Sequence, residues 1–197
     1  MKKSNTLDTR RLVLLALLTA IVIVLQFIGA FIRFGPFSVS LVLLPIVIGA
    51  ALAGVSAGGW LGLIFGIVVL LSGDSAMFLA ISPLGTIIVV LLKGILAGLA
   101  AGAVYKLLAK KNRTVAVLFA AAVCPVVNTG VFILGVYAFF MPTVTAWGAA
   151  AGFPNATAYI FLGMIGVNFL FEFALNLVLS PVIVRLIQYG QDRKARR

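Results

Sequence analysis

Apolar residues run along this chain in six long blocks, separated by short polar, basic or Gly/Pro breaks. The blocks cover about 12–31, 37–53, 59–71, 85–108, 115–140 and 158–187. Their apolar character is continuous, without the alternation over about ten residues that marks a barrel strand. A backbone in lipid must pair its own N–H and C=O groups, which leaves helices or closed barrels. The pattern therefore predicts an all-α membrane protein, a bundle of six transmembrane helices forming one domain over residues 1–197. The second and third blocks lie near the lower length limit for crossing a bilayer. Between the fifth and sixth blocks a long loop is expected at 141–157, with Pro142, Trp147 and Pro154 in it.

Composition excludes the soluble alternative. Of 197 residues, 63% are apolar and 10% charged, and the mean hydropathy is +1.26. A soluble domain carries about 25% charged residues. The net charge of +11 is not spread over a face interleaved with aromatics, as nucleic-acid binding would require. Instead 13 of the 15 basic residues gather near residues 1–11, 106–113 and 185–197. Six spans put all three clusters on one side, and the Lys/Arg bias makes that side cytoplasmic. Both termini are then cytoplasmic, with short basic tails at 1–11 and 188–197. The basic start reads as the flank of a retained first helix, since no small-residue cleavage site closes the apolar stretch.

Chemistry enters through the residues that lipid disfavours. Lys93 in the fourth block and Glu172 in the sixth fall near mid-membrane, and buried charges at such depth pair or line a cavity. Two readings stand: an ion pair locking two helices, or contacts to a ligand. Asn168, Glu172 and Asn176 recur every four residues and share a helix face, and Asn128 with Thr129 adds polarity in the fifth block. Asn128 and Asn168 point to ligand contact, whereas Asn176 fits interhelical packing. Outside the spans, Arg33, Asp74, Phe78 and Trp147 suit a lid or a plain interface; Trp147 fits an interfacial anchor. Gly58, Gly62 and Gly66, and likewise Gly94, Gly98 and Gly102, form small-residue stripes for close helix approach. Ala16 and Ala20 make a weaker pair of the same kind.

Enzyme classes fall away for want of parts. The chain has no histidine, one cysteine (Cys124) and no Gly-Lys-Ser/Thr phosphate loop, so no catalytic, cofactor or metal site is expected. Uphill transport would draw its energy from a partner.

Three stretches carry a resemblance: Arg11 to Ala20 with its Ala16-xxx-Ala20 pair, Gly35 to Gly49 followed by the glycine-rich third block, and Lys93 to Lys106 with Asn128-Thr129 downstream. Over 10–190 the chain resembles the substrate-binding S components of energy-coupling factor (ECF) vitamin transporters. That resemblance implies a multi-pass plasma-membrane subunit, bacterial, without ATPase activity. It implies a transmembrane T component contacting Ala16 and Ala20, and two cytoplasmic ATPase subunits. It further implies an outward-facing vitamin site, for which Lys93, Asn128, Thr129, Asn168, Glu172 and Arg33 are the candidates. Pantothenate ranks first among the ligands and a riboflavin-like molecule next. The competing readings are a self-sufficient secondary transporter or small channel, which calls for inverted repeats with broken helices, and a structural membrane protein without a ligand.

Overall fold

The computed structural model describes residues 6–31, 33–34, 37–38 and 40–195. The chain forms α1 (Thr6–Gly29), a short antiparallel hairpin of β1 (Arg33–Phe34) and β2 (Phe37–Ser38), α2 (Leu43–Ala53) and α3 (Val55–Leu71). After these come α4 (Ala76–Leu79), α5 (Pro83–Leu108), α6 (Arg113–Phe139), α7 (Met141–Ala150) and α8 (Ala156–Ala158). A π-helical segment, Tyr159–Met164, leads into α9 (Gly166–Ala195). In the hairpin Arg33 pairs with Ser38 and Phe34 with Phe37.

Three helices are long and apolar enough to cross a membrane alone, within Thr9–Gly29, Pro83–Leu108 and Arg113–Phe139. The pair Ala156–Met164 and Gly166–Val182, bent by 43°, makes a fourth if counted as one span. α2 and α3 are apolar but shorter, at 11 and 17 residues.

Local sequence sets most of the boundaries. Ser82 accepts the Gly85 N–H at 3.3 Å and Pro83 opens α5, a position where its missing N–H costs nothing. Asn112 caps α6 through the Val115 N–H at 3.1 Å. Between α2 and α3 the break is confined to Gly54, whose φ of 98° suits glycine. The second block is helical only from Leu43, because the residues before it hold the hairpin and its exit. The expected loop at 141–157 is instead largely helical, with Pro142 in the first turn of α7.

α3 packs most extensively on α5, and α5 on α6. The two glycine stripes make the first contact. A Cβ on Gly62 would run into the Gly94 carbonyl, and one on Gly94 into that of Gly62. Gly58 and Gly98 stand in the same reciprocal relation. One apolar core, with Leu43, Ile46, Leu61 and Phe65 fully buried, fills the bundle among α1, α2, α3, α5 and α6. A second cluster of Phe78, Val136, Phe140, Val144, Ile160 and Met164 closes the end that carries α4 and α7. At the opposite end Arg11 reaches Ser56 (3.1 Å) and Gly102 lies against Val55, which brings the start of α1, the α2–α3 break and the end of α5 together.

Candidate functional site

Between the two apolar clusters lies a cavity that is half open at its mouth. α5 contributes Lys93, Val90 and Thr86, and α6 contributes Asn128, Thr129 and Phe132. α9 adds Asn168, Phe169 and Glu172. Five of the six expected ligand contacts, Lys93, Asn128, Thr129, Asn168 and Glu172, therefore face one space. The sixth, Arg33, has its backbone in β1, and its side chain lies outside the described residues. Asn176 stays out of the cavity wall. Its Nδ2 donates to the Glu172 carbonyl at 2.8 Å, within its own helix.

The expected ion pair between Lys93 and Glu172 is not formed; each has other partners. Lys93 Nζ sits over the rings of Phe65 and Phe132, 5.4 and 5.6 Å from their centroids, within the range of cation–π attraction. Glu172, 4% exposed, accepts the backbone N–H of Ser40 at 2.8 Å. Similar depth in two helices does not make their side chains point at one another.

Several residues in or beside the wall were not expected there from sequence. Gln26 of α1 donates from Nε2 to Asp74 Oδ2 at 2.7 Å, and Ser38 of the hairpin donates to the same oxygen at 2.6 Å. Asp74, expected in a surface segment, is thus a buried acceptor that joins α1, the hairpin and the α3–α4 turn. Ser38 and Ser40 fasten the hairpin and its exit to two carboxylates, Asp74 on one wall and Glu172 on the other. Phe78 of α4 anchors an aromatic cluster, with ring centroids 4.8 Å from Phe140, 5.7 Å from Trp147 and 5.8 Å from Phe132 in edge-to-face arrangements. Trp147, expected as an interfacial anchor, packs against this cluster. A lone amide in α1 and one of only four acidic residues in the chain were the available signals for Gln26 and Asp74.

The break in the last long helix also borders the cavity. Met164 ends the π-helical segment, Ile165 follows it, and both line the wall. π-helical turns of this kind recur at functional sites because they re-aim side chains. In α6, Pro125 lies one turn before Asn128 and Thr129 and removes a helical hydrogen bond there.

The wall thus combines aromatic rings with amide, hydroxyl, ammonium and carboxylate groups. The sequence profile described as "ECF transporter, substrate-specific component" matches residues 10–184. The chain belongs to that family. No curated protein matches the chain. ECF S components are membrane-embedded transporter subunits rather than enzymes, and they work with a T component and ATPases. The substrate-binding part of the transporter is thus the role this S component fills, and the cavity is its candidate site. Ala16 and Ala20 do not line it and are exposed on α1.

Proposed function

We propose that this S component captures a small vitamin or vitamin precursor from outside the cell and releases it inside, driven by a T component and two cytoplasmic ATPases. The observation that carries the reading is the convergence of polar groups from α5, α6 and α9 on one cavity in a chain of this family. The six spans are α1, α2, α3, α5, α6 and the bent segment ending in α9, with both termini cytoplasmic. Alternation of the basic clusters supports that arrangement, as does the meeting of the α1 start, the α2–α3 break and the α5 end at one pole. The cavity lies toward the other, outward pole, where the hairpin covers it. Release follows from toppling of the whole bundle in the membrane, which the apolar exterior of α1 and α5 allows. Ala16 and Ala20 offer the T component a flat helix face. Lys93, Asn128, Thr129, Asn168 and Glu172 form the ligand contacts, with Arg33 a further candidate, and pantothenate ranks ahead of a riboflavin-like ligand.

The bent sixth span is the one observation that favours a self-sufficient secondary transporter, since such proteins break helices at their sites. Among the described residues no second bent pair stands in the first half to complete an inverted repeat. Co-expression with a T component and ATPases, followed by pull-down in mild detergent, separates the two readings. A stable complex with ATP-dependent uptake is expected. Substrate uptake by the chain alone in ATP-free vesicles would overturn the assignment.

A further inference from the structure

The walls of the cavity are unequal in what they leave unengaged. Both carboxylates already hold protein donors: Asp74 takes Gln26 Nε2 and Ser38 Oγ, and Glu172 takes the Ser40 N–H. Lys93 is different. Its ammonium rests on two ring faces and forms no hydrogen bond or ion pair among the described residues. A ring face attracts the charge but leaves the three N–H donors without acceptors. Two amides complement it. Gln26, 1% exposed, has its orientation fixed by the bond from Nε2 to Asp74, so Oε1 is an acceptor, buried and without a partner. Asn128, 4% exposed, lines the cavity with neither end of its amide engaged, and Oδ1 is buried. Buried polar groups of this kind are normally satisfied, and a guest in the cavity is placed to satisfy these two.

We propose that the ligand is a small monocarboxylate whose anionic end sits on Lys93 and whose hydroxyl or amide hydrogens donate to Gln26 Oε1 and Asn128. This rests on the substrate-binding reading above and narrows it to a charge class. A carboxylate placed on Lys93 displaces no existing bond and meets an opposite charge, whereas an amine or cation in the same place would be repelled by the ammonium. The apolar body of the ligand lies against Phe132, Phe78 and Phe140.

The test uses the full chain purified in detergent, with thermal stabilisation and titration calorimetry on matched probes. The pairs are pantothenate against panthenol, biotin against its primary amide, and nicotinate against nicotinamide, with riboflavin and thiamine as uncharged and cationic controls. One carboxylate is expected to stabilise the chain and to bind at least about tenfold more tightly than its neutral partner, the loss that follows when a charge-assisted hydrogen bond is removed. Lys93→Met should erase that preference and Lys93→Arg should keep it; neither breaks an ion pair, and the wild-type comparison needs no variant. Tightest binding of a neutral or cationic probe, a preference that survives Lys93→Met, or no binding of any carboxylate would overturn the proposal. Assembly with the T component and ATPases is measured on the same preparations. A chain that assembles but prefers thiamine or riboflavin defeats this inference alone, while one that neither assembles nor binds any probe defeats the transporter reading as well.

Discussion

Gly62→Ala adds one methyl group at the place where α3 and α5 touch backbone to backbone. The new Cβ would fall on the Gly94 carbonyl oxygen and carbon, with the Ile95 nitrogen 3.1 Å away. None of these is the tip of a flexible side chain, so one helix must move. Overpacking a close-packed interior costs about 1–3 kcal/mol, and a rigid main-chain obstacle puts this change in the upper half of that range. Alanine's better helix propensity returns up to about 1 kcal/mol, leaving a net loss of about 1–2 kcal/mol. For a chain of this size each kcal/mol shifts the melting temperature by about 2–4 °C, so a fall of roughly 2–8 °C is expected. Gly130→Ala is the control. It too lies inside a helix, but a Cβ there meets nothing within 4 Å, so propensity alone should hold or raise stability. The assay is the fraction of monodisperse protein after heating in detergent, read for both variants beside wild type. Because Gly94 adjoins Lys93, ligand affinity should fall with Gly62→Ala and not with Gly130→Ala. Equal melting temperatures for the two variants would refute the claim that α3 and α5 cross in backbone contact.

Glu172→Ala strips the Ser40 N–H of its acceptor, and a buried donor left unpaired costs roughly 1–3 kcal/mol; bound ligand should dissociate faster in a chase experiment, Glu172→Gln should do less harm, and an unchanged off-rate for Glu172→Ala would count against the fastening. Ala16→Leu with Ala20→Leu places two large side chains on the exposed face of α1; the pull-down of T component and ATPases should be lost while ligand binding persists, and an intact complex would remove this face from the interface.

How much of this was legible in the sequence depended on the range of the determining contacts. α1, α5 and α6 follow directly from their unbroken apolar runs, and the glycine stripes announced a close crossing because spacing by four puts small residues on one face. The polar residues of the last three long helices were readable for the same reason: a mid-membrane amide or charge needs a partner. Gln26 was not, since a lone amide in an apolar helix has no meaning until Asp74, 48 residues away, is placed beside it. The Lys93–Glu172 pair failed as an expectation because depth along a helix says nothing about azimuth, and Phe65 and Phe132 occupied the lysine's surroundings. α7 was hidden by Pro142, which reads as a breaker in sequence and serves as a helix start in the fold. The π-helical segment leaves no residue pattern of its own in the sequence.

On the proposed function, the cavity among α5, α6 and α9 holds a guest. Val90, buried on its wall, can be changed to Trp to fill that space. The decisive measurement is the amount of small molecule released per chain, by mass spectrometry of denatured protein purified from cells fed the vitamin panel. About one molecule per wild-type chain is expected, and none from Val90→Trp. Equal amounts from both proteins, or nothing from wild type at any supplied concentration, would contradict that expectation.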